Sequence, residues 1–587
     1  MKRTLTALSV ALALALGLVA CGLVPQPLES EAPTAPEPTP IEQQEMTSEP
    51  TETVGATKNE GMPVEEVGDV YMDTMAAESE SYMPVAPPES YNTEEYSDID
   101  EVGFISTKSR PLSTISADVD TASYANLRRM LRDGWKTLAT AEVGTSDDKK
   151  SDKDEYPVEY YDYDYDYTGV IPAGSVRIEE MLNYFDYDYT TPEGEDLFRI
   201  NARLGKCPWN PDTELLVLGY ATSKEDESFA QKGSNLVFLI DVSGSMDEAD
   251  KLPLLQSSFG ELVGTLGEND RVSIVTYSGE EEVVLEGAKG KDQQTIMRAV
   301  RGLKAEGSTN GEAGLRMAYE IAEKNRIEGG INRIVMASDG DLNVGMTSES
   351  DLHDFVDKQR EKGIYLSVLG FGAGNYKDNK METLADHGNG SYHYIDCEAE
   401  AKRVFGERIT ANLVPFADDV KMQVEFNPAQ VKAYRLIGYE NRAMADEDFE
   451  NDEKDAGEVG PNSQFTVAYE VVRPDSAMEF SEPELKYEQT TTDANASAEW
   501  LTAKLRYQPA AGGDVREQEL VVTEKDWAED PGDDWRFAGA VSEFGMLLRD
   551  SEYKGTSTFD SVRKLTNAGD NEQRKEFLEL VDLAEKN

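Results

Sequence analysis

Residues 235–246 read NLVFLIDVSGSM, from Asn235 to Met246. Five apolar residues, Leu236 to Ile240, run without alternation into Asp241. A short run that is apolar at every position fits a strand covered on both faces, as in a parallel sheet. It ends in three oxygen-bearing side chains at alternate positions, Asp241, Ser243 and Ser245. That spacing can turn all three toward one point at the carboxyl end of the sheet, where open α/β sheets keep their ligands. Carboxylate and hydroxyl oxygens, with no His or Cys beside them, suit a hard cation such as Mg2+.

The residues that follow alternate between helix and strand patterns. Pro253 suits the first turn of a helix carrying Leu255, Phe259, Leu262, Val263 and Leu266 at helical spacing. Strands are expected at Arg271 to Tyr277, Arg333 to Ser338 and Ile364 to Phe371. Helices are expected at Gln293 to Leu303, from Asn310 to about Arg326, and at Ser350 to Lys362. Such alternation calls for a mainly parallel sheet with both faces covered by helices, an α/β fold. Two further polar loops, Glu306-Gly307-Ser308-Thr309-Asn310 and Asp339-Gly340-Asp341, fall where they could join the first motif.

Each motif alone is weak, since D-x-S-x-S arises easily in turn-rich loops and Asp-Gly is a common turn. Three in this order, each after the fitting element, resemble the von Willebrand factor type A (vWA) domain. The resemblance implies a Rossmann-like vWA fold with a metal-ion-dependent adhesion site (MIDAS). It casts Ser243 and Ser245 as direct hydroxyl ligands and Thr309 as the threonine of the second metal loop. Asp241 and Asp339 are cast as the carboxylates that hold the metal's waters. Mg2+ is the implied ion, with Mn2+ or Ca2+ as substitutes. A site of this kind leaves the ion open to an acidic side chain from a protein partner, so a binding module is expected and not an enzyme. The alternatives are a structural envelope protein whose metal fixes loops, or a metal-dependent hydrolase. The chain's three histidines, His353, His387 and His393, all lie outside the metal loops, and no nucleophile elbow or P-loop is present.

The chain has 587 residues, 56 of them basic and 115 acidic, for a formal net charge of −59. Nucleic acid is thereby excluded as a partner, because binding it requires clustered cations. At the N-terminus, Lys2 and Arg3 precede an apolar run from Leu5 to Ala20, then Cys21. This reads as a signal peptide over residues 1–20. The ending Leu18-Val19-Ala20-Cys21 resembles a bacterial lipobox, which implies lipidation at Cys21 and a lipid-anchored, extracytoplasmic protein of the cell envelope. Gly22 after the cysteine leans toward the outer membrane in a cell that has one. Residues 21–104 read as an acidic, disordered tether, with 19 acidic side chains and one lysine (Lys58) between Glu29 and Asp100.

Residues 105–222 resemble the N-terminal region that precedes the A domain in a group of bacterial lipoproteins. Asp118-x-Asp120-Thr121-x-Ser123 has the oxygen spacing of a second ion site, although capping of the following helix by Asp120 or Thr121 is the plainer account. Residues 137–173 form an interruption with alternating Tyr and Asp, expected as a disordered acidic loop. The vWA domain is placed at 233–412 and a C-terminal β-rich domain with closing helices at 413–587, where the resemblance is to a domain of unknown function. Phe198 to Leu204 and Glu214 to Thr222 read as strands, as do five segments between Val420 and Thr523. A lone hairpin is marginal in water, so the early pair should join the later strands in a mostly antiparallel β-sandwich into which the vWA domain is inserted. Ala443 to Gly460 is expected as an exposed loop of that sandwich. Cys207 and Cys397 form no zinc pattern; a disulfide between them or two buried free thiols both remain open.

Overall fold

The computed structural model describes residues 92–138, 169–223, 233–340, 349–452, 454–479, 498–510 and 512–587. The expected signal peptide, Cys21, most of the tether and the middle of the Tyr/Asp interruption lie outside the described residues.

Order begins before the expected boundary at residue 105. Residues 92–96 lie against the body: the Thr93 amide donates to the Gly374 carbonyl at 2.7 Å, and the Glu94 carboxylate accepts from Arg129 at 2.9 Å. Glu95 takes the Lys377 ammonium at 2.7 Å. Composition marks this stretch as coreless, yet its acids find cations elsewhere in the chain.

Two short strands follow, β1 (Ile105–Ser106) and β2 (Leu112–Ser116), then helix α1 (Ala122–Arg132). Thr121 stands at the N-cap of α1 but does not cap it. Its hydroxyl meets His393 Nδ1 at 3.0 Å and accepts from Arg403 at 2.9 Å. Instead the Ser123 amide donates to Glu180 Oε2 at 2.7 Å, a carboxylate supplied by α2 (Ile178–Asn183). An anion at a helix N-terminus satisfies the orphan amides whichever element brings it. Asp118 and Asp120, whose spacing also fits a second ion, are engaged by groups of the chain itself. The Asp118 carboxylate accepts the Asp120 amide at 2.8 Å, Asp120 accepts the Tyr392 amide at 2.7 Å, and the Arg442 guanidinium lies 3.6 and 3.2 Å from the two. The cation beside them is a side chain.

β3 (Phe198–Lys206) and β4 (Glu214–Thr222) form a hairpin. Next comes a six-stranded sheet built from β5 (Ser234–Asp241), β6 (Arg271–Tyr277), β7 (Glu281–Lys289), β8 (Ile331–Ser338), β9 (Tyr365–Phe371) and β10 (Tyr392–Ile395). Its order is β10-β9-β8-β5-β6-β7, and every pair is parallel except the edge strand β7. The connecting helices are α3 (Leu252–Thr265), α4 (Gln293–Arg301), α5 (Gly311–Lys324), α6 (Glu349–Arg360), α7 (Asp378–His387), α8 (Glu398–Lys402) and α9 (Ile409–Leu413). The unbroken apolar run of β5 has its reason here. Val237 and Leu239 enter one core with α5 and α7, while Leu236, Phe238 and Ile240 enter another with α3 and α4.

The chain then returns to β11 (Ala417–Phe426), β12 (Ala433–Ile437), β13 (Gly457–Val459), β14 (Gln464–Val472), β15 (Glu499–Pro509) and β16 (Arg516–Thr523). One sheet runs β1-β12-β14-β4-β3 and the other β13-β11-β15-β16, with β2 added beside β11. The hairpin read before the α/β domain therefore shares a sheet with strands read after it, and Leu216, Leu218 and Tyr220 of β4 pack between the sheets. The opposite face of β4, through Leu215 and Val217, packs under helices α1, α2, α10 (Asp533–Arg549), α11 (Phe559–Leu565) and α12 (Glu572–Lys586). Ala443 to Gly460 departs from the exposed loop expected of it: Phe449 and Val459 are buried, and Gly457–Val459 pairs with β11. Its acidic composition hides apolar anchors spaced ten residues apart. Cys207 is buried and Cys397 half-buried, and both are free thiols. Among the described residues no helix is long and apolar enough to cross a membrane.

Candidate metal centre

Asp241 is the last residue of β5, and Ser338 is the last of its neighbour β8. The parallel register therefore sets Asp241, Ser338 and Asp339 side by side at one end of the sheet. The Asp241 carboxylate is fully buried and accepts twice: from the Ser243 amide at 2.9 Å and from the Ser338 hydroxyl at 3.1 Å. The first bond is the Asx turn that swings the chain back after the strand. It brings the Ser243 and Ser245 hydroxyls within 3.1 Å of each other.

The second polar loop is tied to the first through the backbone. The Glu306 amide donates to the Val242 carbonyl at 2.8 Å, and the Gly244 amide donates to the Gly307 carbonyl at 3.1 Å. Gly307 has φ +91, a conformation that favours glycine. Thr309 follows two residues later, half-buried, just ahead of α5. In the third loop the Gly340 amide donates to the Ser338 hydroxyl at 3.1 Å, with φ +95 at Gly340. A Cβ there would stand 2.3 Å from the Lys377 amide nitrogen. Asp341 lies outside the described residues.

Burial pushes the Asp241 carboxyl up to about 6; the Asp339 charge adds to the rise, and the Ser243 and Ser338 hydrogen bonds oppose it. Two buried carboxylates in one pocket are costly unless cations compensate them. Part of that compensation is a residue the motifs did not disclose. Lys251 Nζ lies 3.2 Å from Asp339 Oδ2 and 3.4 Å from Asn375 Oδ1, while Asn375 Nδ2 donates to the same Asp339 oxygen at 3.2 Å. Lys251 reads in the sequence only as the residue ahead of a helix, and Asn375 as part of a glycine-rich turn. No spacing rule connects either with Asp339.

The donors suit a hard ion. Cis ligands of an octahedral Mg2+ with bonds of about 2.0–2.1 Å stand roughly 2.9 Å apart, close to the 3.1 Å between the two serine hydroxyls. Among the described residues no group of three or more His, Cys, Asp and Glu side chains is placed to hold a metal. Any site here is a mixed one of hydroxyls and two carboxylates. The histidines are engaged elsewhere: His353 and His387 stack with ring centroids 4.1 Å apart, His387 meets Asp357 at 3.0 Å, and His393 meets Thr121.

Three stretches of the chain are similar to known families. Residues 235–407 match the von Willebrand factor type A domain, and residues 411–586 match the family described as uncharacterized protein YfbK, C-terminal. Residues 90–169 and 165–217 match a von Willebrand factor family. The uncharacterized protein YfbK of Escherichia coli (strain K12) is 36% identical over 508 residues, covering 84% of this chain and 81% of that one. Inter-alpha-trypsin inhibitor heavy chain H4 of Sus scrofa is 30% identical over 146 residues, which span 24% of this chain and 16% of that one. Among solved structures, a von Willebrand factor type A protein from Catenulispora acidiphila aligns with a TM-score of 0.35 at 17% identity, covering 59% of this chain and 77% of that one.

Proposed function

The chain belongs to the YfbK family of von Willebrand factor type A proteins, and from that membership and the geometry above we propose a metal-dependent protein-binding module held at the bacterial cell envelope by a lipid on Cys21. Domains of the vWA family generally mediate protein–protein interaction. The observation that carries the metal-dependent reading is the Ser243–Ser245 hydroxyl pair, set 3.1 Å apart beside the buried Asp241 carboxylate. Ser243, Ser245 and Thr309 would hold Mg2+ directly, or Mn2+ or Ca2+ in its place, with Asp241 and Asp339 holding its waters. A bound divalent ion of this kind supplies an open coordination position for an acidic side chain of the partner protein. Asp241 is itself held by Ser243 and Ser338, so its oxygens are aimed before any ion arrives.

Two observations weigh against the other readings. The first two loops are already pinned by backbone hydrogen bonds, so an ion is not needed to fix them. A hydrolase needs a proton-transfer group near the ion, and the three histidines have partners elsewhere.

The test is calorimetric titration of Mg2+, Mn2+ and Ca2+ into the full chain, beside Asp241→Ala and Thr309→Ala. Saturable one-site binding in the wild type, lost in Asp241→Ala and weakened about tenfold or more in Thr309→Ala, is expected. Equal binding in all three proteins would sink the assignment. In bacterial cells that express the full chain, Cys21→Ala should move it from the membrane to the soluble fraction.

A further inference from the structure

Lys251 is placed against its own interest. It occupies the N-cap of α3, where the helix dipole disfavours a cation, and its side chain is only 3% exposed. The slot that receives it exists because residue 372 is glycine: with φ +73, a Cβ there would stand 2.2 Å from Lys251 Cε. At the end of the slot the ammonium meets Asp339 Oδ2 and Asn375 Oδ1. The loop carrying Asn375 is held in turn by the ordered arm, through the Thr93 amide to the Gly374 carbonyl at 2.7 Å and the Gly374 amide to Glu94 Oε1 at 2.9 Å. A buried lysine is thus built into the candidate metal centre and fixed from two sides.

We infer that Lys251 is a specificity-determining residue of this centre: a tethered cation that trades metal affinity for attraction of an anionic ligand. The inference rests on the metal-dependent reading above. Asp241 and Asp339 bring two negative charges and Lys251 brings one positive. With a divalent ion added, the cluster carries one net positive charge, which a partner's carboxylate neutralises. Without Lys251 the loaded cluster is neutral, and the same carboxylate leaves it negative. The surroundings make that difference matter. Asp247 and Glu248 are exposed on the same loop, and the whole chain carries −59. An acidic partner approaches against that field, and a buried positive charge acts on it with little screening. The same ammonium repels the ion, so it lowers affinity for the metal alone.

The two effects have opposite signs, which gives the test its discrimination. Mn2+ serves as the ion, with binding followed by the electron paramagnetic resonance of the free ion in solutions of the full chain. Acetate is then titrated into the Mn2+-saturated protein as the carboxylate probe, and displacement of bound water is read as a fall in water-proton relaxivity. Lys251→Met removes the charge and keeps the bulk; Lys251→Gln removes the charge and keeps a hydrogen-bond donor toward Asp339. Both variants are expected to bind Mn2+ about tenfold more tightly and acetate several-fold more weakly than wild type. Unchanged affinities for both probes, or weaker Mn2+ binding in both variants, overturn the inference while leaving the metal reading intact. A wild type that binds no Mn2+ overturns the metal reading, and this inference falls with it.

Discussion

Gly340 shows how much of the centre depends on single positions. Its φ of +95 and the 2.3 Å approach of a would-be Cβ to the Lys377 amide mean that alanine fits neither the backbone nor the space. Gly340→Ala is expected to destabilise the protein by about 2 kcal/mol or more, read from urea unfolding, and to weaken cation binding by displacing the neighbouring Asp339. The Asp-Gly pair was legible as a turn, and the alternate oxygens of Asp241, Ser243 and Ser245 were legible because their geometry is local. Lys251 was not. It reaches Asp339 across 88 residues of sequence, and only the folded chain sets the start of α3 beside the end of β8.

At the scale of elements, helix boundaries were read closely, but the depth of burial was not. Among the closing helices, α10 (Asp533–Arg549) is covered on nearly all sides, including Glu543. That carboxyl accepts from the Ser561 hydroxyl through Oε2, and Oε1 has no hydrogen-bond partner among the described residues. Burial pushes it up to about 7, with the Ser561 bond opposing the rise. A carboxyl raised in the folded state favours folding most below its unfolded value, 4.5, and its contribution declines as pH climbs through about 7. Glu543→Gln carries no charge and escapes that decline. It should be more stable than wild type by about 2 kcal/mol at pH 8 and equal to it near pH 4, by denaturant unfolding at the two pH values. Equal stability at both would show that the charge costs nothing where it lies.

Across the whole molecule, Arg128 joins segments far apart in the chain. From α1 it meets Asp396 and Glu400, beside α8 and within it, and Glu576 of α12 at 2.9 Å. Burial alone would raise the Glu400 carboxyl, but Arg403 and Arg128 outweigh it and hold it down at about 2. A depressed carboxyl stabilises the fold above its unfolded value of 4.5 and loses that effect as pH falls toward 2. Arg128→Met leaves buried carboxylates uncompensated and should cost about 3 kcal/mol or more at pH 7. The gap between variant and wild type should narrow between pH 4.5 and 2, followed by thermal unfolding. The sequence by itself determined what rests on local order: the α/β alternation, the central strand, the oxygen-bearing turn at its end and the antiparallel strands on either side. These are legible because periodicity and turn chemistry act over a few residues. Only the tertiary structure decided the cap of α1 by Glu180, the ordering of residues 92–104, the strand hidden in the acidic 443–460 segment and the lysine on Asp339. Each depends on a charge or an apolar anchor meeting a partner from a distant segment, and composition records the partners without recording that they meet.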